Sequence, residues 1–232
     1  MTVALETIGL NKQFGGLAVT QNLSLQIAAG ARHALIGPNG GRILLEGSDI
    51  TDLPVHTRVL RGLSRTFQIN QLYPGLTPLE TVGLAVSERL GHGGDWWRRM
   101  GTRNDVNDEI ADLLTRFHLL DVMNEETVTL PYGKQRLLEI AVAIAAKPRV
   151  LLLDEPAAGV PAAERQDILD AIAALPADVS VMLVEHDMDL VFSFADRISV
   201  LVNGALLVEG PPDEVARDVR VKAVYLGEAA DA

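Results

Sequence analysis

The run Val150-Leu151-Leu152-Leu153 ends directly in Asp154-Glu155-Pro156, and this junction constrains the chain more than any other feature. Uninterrupted apolar residues bounded in this way read as a buried strand. Two adjacent carboxylates at its tip are costly unless a metal, a basic partner or a polarised water lies just beyond. The pattern returns at Val181-Met182-Leu183-Val184, which feeds into Glu185-His186-Asp187. Ligands of open parallel sheets bind beyond the carboxyl ends of strands, so both clusters are expected to face one crevice. The bland alternative is that Asp154 and Glu155 cap the next helix, where acids favour the positive end of the dipole.

A chain of 232 residues is long enough for one large domain or for a core with a small subdomain. Only 4% of it is aromatic, so its core must be aliphatic. The formal net charge of −11 argues against nucleic acid as a partner, because displacing counterions requires a basic footprint. Cysteine is absent, which excludes disulfides and thiolate zinc sites and fits a reducing compartment. The start has neither a basic n-region nor an apolar h-region, and no apolar run is long enough to span a bilayer. A cytoplasmic chain that does not itself cross the membrane is expected.

Leu23, Leu25 and Ile27 alternate with Ser24 and Gln26, the period of a half-buried strand in an antiparallel opening part. His33 to Ile36 reads as a second strand, Gly37-Pro38-Asn39-Gly40-Gly41 as a loop, and Ile43 to Leu45 as the start of a third strand. Thr77-Pro78-Leu79-Glu80 has the order of a capping box and predicts a helix start. Helical spacing recurs over Asp105 to His118 and Lys134 to Ala146, so a helical block is expected from about Leu76 to Lys147. Asn203-Gly204 between Ile198–Val202 and Leu206–Val208 predicts a tight hairpin.

Leu130-Pro131-Tyr132-Gly133-Lys134-Gln135-Arg136 precedes the helix that leads to the Asp154 strand. With these elements in order, the chain resembles the ATP-binding cassette ATPases of ABC transporters. Leu130 to Gln135 looks like the signature motif, Val150 to Glu155 like the Walker B strand and His186 like the switch histidine. Gln68, in Arg65-Thr66-Phe67-Gln68, matches the Q-loop glutamine, and Phe14 stands where the family stacks an aromatic ring on adenine. The resemblance covers nearly the whole chain. It implies an α/β fold of the P-loop NTPase type, with a RecA-like core, an antiparallel β subdomain and a helical subdomain. Residues 1–75 would form the β subdomain and the first part of the core, residues 76–148 the helical subdomain, and residues 149–232 the rest of the core and the tail.

ATP and Mg2+ are the ligands the resemblance implies. Asp154 would hold the metal through water, Gln68 would touch metal and water, Glu155 would act as general base, and His186 would contact the γ-phosphate. Tyr132, Gly133, Lys134 and Gln135 would serve the nucleotide of a second cassette, since two cassettes of this family dimerise head to tail. Pro131 occupies the place of the usual serine and Lys134 that of the usual glutamine. The lost hydroxyl contact is expected to be offset by the backbone cradle and by the charge of Lys134.

Gly37, Pro38, Asn39 and Gly40 look like the first half of a Walker A loop, G-x-x-x-x-G-K-S/T. Gly41-Arg42-Ile43 follows at once, with no lysine, no hydroxyl residue and no helix. A short loop in a cassette that has lost its ATPase is one reading. The preferred one is a segment missing between Gly40 and Gly41, because losing the helix would strip the sheet of side chains worth roughly 1.5–3 kcal/mol each when buried. Intact mass separates the two: 25.0 kDa means a genuine deletion, and roughly 2 kDa more means a loop and a helix.

The signature stretch, Asp154-Glu155-Pro156-Ala157-Ala158-Gly159, Glu185-His186-Asp187-Met188 and the tail Tyr225-Leu226-Gly227-Glu228 together look like the cassettes of branched-chain amino-acid importers. Urea and short-chain amide importers share that subfamily, and a regulatory cassette without hydrolysis is the alternative if the lysine is truly absent. The D-loop departs from the usual pattern at Pro161. The resemblance implies transmembrane permease subunits as partners, a binding protein acting indirectly, and a position on the inner face of the membrane. Ile69 to Pro74 are the candidates for a groove that receives the permease. Trp96 and Trp97, beside Arg98 and Arg99, either pack a small subdomain or touch permease or lipid. A soluble cassette ATPase of translation or DNA repair would carry paired cassettes or a long coiled-coil insertion, and neither is present.

Overall fold

The structure, a computed structural model, describes residues 2–14, 17–36, 42–66, 72–91, 104–185 and 187–226. In chain order the elements are β1 (Val3–Phe14), β2 (Leu17–Ala28), β3 (Arg32–Ile36), β4 (Arg42–Leu45), β5 (Ser48–Asp49), α1 (Val55–Leu60), β6 (Leu63–Arg65), α2 (Pro78–Arg89) and α3 (Asn104–Arg116). They continue with α4 (Tyr132–Ala145), β7 (Val150–Asp154), α5 (Ala162–Ala173), β8 (Ser180–Val184), α6 (Met188–Phe194), β9 (Arg197–Val202), β10 (Ala205–Gly210), α7 (Pro212–Arg217) and α8 (Val219–Val221). These elements group into two units, Met1–Pro54 with Ala177–Ala232 and Val55–Pro176.

In the first unit an antiparallel sheet has the strand order β2-β1-β4-β5. Leu23, Leu25 and Ile27 of β2 are buried while Ser24 and Gln26 are exposed, as the alternation predicts. A second set of strands surrounds β3, which pairs in parallel with both β8 and β9. From β9 the chain turns into antiparallel β10 through Asn203 (φ 50°) and Gly204 (φ 78°), the two left-handed residues a tight hairpin turn requires. Ala34, Ile198 and Val200 pack with Val191, Ala195, Val215 and Val221 in an aliphatic core. A polar chain runs from buried His33 and Ser199 to the surface: His33 Nε2 lies 2.8 Å from Ser199 Oγ, which donates to Glu209 over 2.9 Å, and Glu209 accepts from exposed Arg197 over 2.8 Å.

β3 and β4 belong to different sheets, and only residues 37–41 separate them. A span this short has no room for a phosphate loop followed by a helix. The chain as it stands therefore lacks that helix, in keeping with the abrupt end of the glycine motif.

In the second unit β6 and β7 pair in parallel, with Arg65 opposite Leu152. Helix α2 packs against α3 and α4, and α4 packs against α5. Val82, Val86, Leu114, Phe117, Leu137, Leu138 and Ile140 are buried. The start of α2 is fixed by both halves of the capping box: the Glu80 amide donates to Thr77 Oγ1 over 3.2 Å, and the Thr77 amide donates to Glu80 Oε2 over 2.9 Å.

Candidate functional site

Strand β7 carries Val150, Leu151 and Leu153 into the interior at 0% exposure and delivers Asp154 to the surface. The basic partner that the sequence demanded is Arg65, whose Nη2 donates to Asp154 Oδ2 over 2.8 Å. Their side chains are 47% and 28% exposed, so the pair stands at the rim rather than in the core. Parallel pairing places it: β6 ends at Arg65 as β7 approaches Asp154. Thr66 ties the two strands together, with its amide donating to the Leu152 carbonyl over 2.9 Å and its Oγ1 accepting from the Asp154 amide over 3.4 Å. Sequence reading missed Arg65; the usable signal was its place at the end of a strand leading into Thr66-Phe67-Gln68.

Glu155 sits in the left-handed region with φ 45°. Side chains avoid this conformation at a cost of roughly 1–2 kcal/mol, and such strain persists where a neighbouring structure imposes it. A turn follows, with the Ala158 amide donating to the Glu155 carbonyl over 3.0 Å. Helix α5 begins only at Ala162, and its cap is Pro161 with no side-chain bond. Asp154 and Glu155 therefore do not cap it, and the bland reading fails for both. It holds for Asp187, which caps α6 by accepting from the Leu190 amide over 3.3 Å.

At the signature stretch, Pro131 caps α4 without a side-chain bond, and no acidic residue lies in the first turn of that helix. The first amides of a helix point away from it and attract an anion. Gly133 presents one such N–H, which donates to Glu164 Oε2 over 3.0 Å. A carboxylate from α5 thus already stands where an anion fits, a second feature that sequence reading missed. Glycine is needed here, since a Cβ on Gly133 would lie 2.3 Å from that oxygen. Tyr132 leans on the D-loop, its Cε1 lying 3.4 Å from where a Cβ of Gly159 (φ 73°) would be. Arg136 lies 5.4 Å from the centroid of the Tyr132 ring and pairs with Glu139 inside α4.

In this structure Lys134 is engaged within its own unit. Its Nζ donates to both oxygens of Asp121, over 2.9 and 3.1 Å, and to the carbonyl of His118. A cation in the first turn of a helix opposes the dipole, and Asp121 compensates it. The hydrogen bond from Lys134 in turn holds the Asp121 carboxyl below its ordinary pKa. Gln135 Nε2 folds back onto the Leu130 carbonyl over 3.0 Å.

In the other unit Phe14 closes β1 opposite Leu17. Glu185, at the end of β8, is 3% exposed. Gly37, Pro38, Asn39, Gly40, Gln68, Trp96, Trp97 and His186 lie outside the described residues.

The described groups fit a magnesium nucleotide. Asp154 offers hard oxygen donors in a setting that already accommodates a cation, and the Gly133 amide holds a carboxylate as a phosphate stand-in.

Comparison with known proteins agrees with this reading. Residues 40–158 match the family described as ABC transporter, and residues 205–231 match the family described as branched-chain amino acid ATP-binding cassette transporter. The high-affinity branched-chain amino acid transport ATP-binding protein BraF of Pseudomonas aeruginosa is 34% identical over 252 aligned positions, covering 97% of this chain and 98% of the relative. LivG of Escherichia coli, named for the same transport, is 33% identical with the same coverage. Those 252 aligned positions exceed the 232 residues of the chain, so the relatives carry segments it lacks. Among solved structures, a nucleotide-free ATP-binding cassette from an ABC transporter superposes with a TM-score of 0.79 at 25% identity, covering 98% of this chain and 100% of the other. The ADP conformation of MJ1267, an ATP-binding cassette of an ABC transporter, gives 0.80 at 25% identity with the same coverage.

Proposed function

Since the chain belongs to the ABC transporter family of ATP-binding cassettes, we propose that it is the ATP-binding and ATP-hydrolysing subunit of an importer for branched-chain amino acids. The observation that carries the chemistry is Asp154 at the tip of a buried strand, exposed to solvent and already matched to a cation. The Asp154 oxygens would hold Mg2+, directly or through water, and the metal would supply charge neutralisation at the phosphates. By resemblance Glu155, next in sequence to Asp154, would take the proton of the attacking water. Gln68 and His186 complete this set by resemblance, and Phe14 would stack on adenine.

Gly133 and its neighbours Tyr132 and Gln135 would serve the nucleotide of a second cassette, head to tail, through backbone amides. The permease would meet the rim of the helical block, where Tyr73 is 69% exposed and Val128 61% exposed. The Val128 amide fixes that rim by donating to the Pro74 carbonyl over 3.1 Å. The subdomain limits at residues 75 and 148 and a peripheral place at the inner membrane face belong to the same reading. Among the described residues no helix is long and apolar enough to cross a membrane.

A second reading, a cassette that assembles with the permease without hydrolysing ATP, is favoured by the short span between β3 and β4. The deciding experiment is ATP binding and turnover on protein of verified intact mass, reconstituted with its permease, beside Glu155→Gln. Turnover that the variant abolishes supports the ATPase. Assembly without turnover at 25.0 kDa overturns it in favour of the second reading.

A further inference from the structure

Arg65 occupies the metal-binding face of Asp154, donating from Nη2 to Oδ2 over 2.8 Å. We infer that this guanidinium is a built-in competitor of the metal: it holds Asp154 Oδ2 in the unloaded cassette and lowers the affinity of the carboxylate for the cation of a magnesium nucleotide. The inference rests on the ATPase reading above and adds to it a residue that sets metal affinity.

Three observations carry it. A guanidinium and a divalent cation draw on the same carboxylate and repel each other, so a cation already seated on Oδ2 disfavours a metal beside it. Arg65 is delivered to that place by β6, whose pairing with β7 sets it beside the strand end in register, so the contact comes from the fold rather than from a wandering surface side chain. Its side chain is nevertheless 47% exposed, so it has solvent to move into. The exchange also has a mechanical consequence. Arg65 is joined through Thr66 and Phe67 to Gln68, and Thr66 is bonded to both Leu152 and Asp154. Loading the metal would therefore weaken one contact of Arg65 at the root of the loop that the family resemblance assigns to sensing nucleotide.

An exposed ion pair competes only mildly, so its removal should tighten the metal about three- to fivefold. The test is Mn2+ binding in the presence of ADP, read by electron paramagnetic resonance of free Mn2+ on the full chain. Wild type is compared with Arg65→Gln, with Asp154→Asn and with Arg149→Gln. Arg149 precedes β7 beside Gly62, at the opposite end of the strand pair. Its loss changes net charge equally but acts from roughly a Debye length away. Arg65→Met, which keeps the aliphatic stem, makes the same comparison should Gln disturb the fold, and thermal melts report on that.

Tighter Mn2+ in the Arg65 variants with no change in Arg149→Gln supports the inference. Unchanged or weaker Mn2+, or equal tightening by both arginine positions, overturns it while leaving the ATPase reading intact. Wild type that binds no Mn2+ with ADP, or binds it independently of Asp154, overturns that reading and this inference together.

Discussion

Replacing Gly133 with alanine tests whether Glu164 shapes the signature stretch. The new Cβ would lie 2.3 Å from Glu164 Oε2, 3.1 Å from its Cβ and 3.3 Å from its Cδ. The carboxylate can swing away, but the amide bond goes with it. A hydrogen bond to a charged group contributes about 1.5–3 kcal/mol, whereas alanine gains at most about 1 kcal/mol over glycine inside a helix. Gly133→Ala alone should therefore cost about 1–2 kcal/mol. With Glu164→Ala already in place the obstructing oxygen, the Cδ and the amide bond are gone and only the 3.1 Å approach to the residue-164 Cβ remains, so the same change should cost clearly less. Urea unfolding of the four proteins, followed by circular dichroism with m-values checked for constancy, gives the coupling directly. If the cost of Gly133→Ala agrees within about 0.5 kcal/mol in the two backgrounds, the contact does not govern this loop.

Glu155→Gly should be more stable than Glu155→Ala by about 1 kcal/mol, the reverse of the usual order, because φ at this position is 45°; denaturation midpoints that rank alanine equal or higher refute the strain. Glu139→Ala removes the paired carboxylate of Arg136, whose side chain is 2% exposed, and should cost up to about 3–5 kcal/mol, while replacing both by methionine should recover much of it. His33 is held below its ordinary pKa of 6.5, chiefly by burial, with the Arg197 charge adding to that and Glu209 opposing it. The native state then binds fewer protons than the unfolded chain, so stability is full above pH 6.5 and falls as pH drops below it. The slope from this one group is at most about 1.4 kcal/mol per pH unit. His33→Gln should flatten that slope between neutral and mildly acid pH, and parallel melting profiles of variant and wild type would contradict the assignment.

Elements written in local chemistry were legible before the structure. Helix α2 announced itself through Thr77, Pro78 and Glu80, and the β9–β10 hairpin through Asn203-Gly204, because each signal rests on neighbouring residues and a backbone conformation only they favour. Strand β6 was illegible for the converse reason: Leu63-Ser64-Arg65 is too short to show a period, and only pairing with β7 makes it a strand. Helix α5 also escaped notice, since Pro161 caps it without a side-chain bond and no cap signal stands in the sequence.

The site divides along the same line. Asp154 and Glu155 could be singled out because burial makes a carboxylate at a strand tip conspicuous, yet their surroundings are long-range facts. Arg65 lies 89 residues from Asp154, and Glu164 lies 31 from Gly133. Charge alone did not foretell the neighbour of Lys134, whose ammonium pairs with Asp121, 13 residues away. A common arrangement follows from these three pairs. The metal ligand, the signature amide and the signature cation are each satisfied by an opposite charge or acceptor from the same unit of the chain. Loading a nucleotide is then an exchange of partners rather than the filling of bare charges. The two ion pairs, Arg65–Asp154 and Lys134–Asp121, would resist by no more than about 1 kcal/mol each and the Gly133–Glu164 bond by about 1.5–3 kcal/mol, so the exchange could be driven by ligand and reversed once the ligand departs.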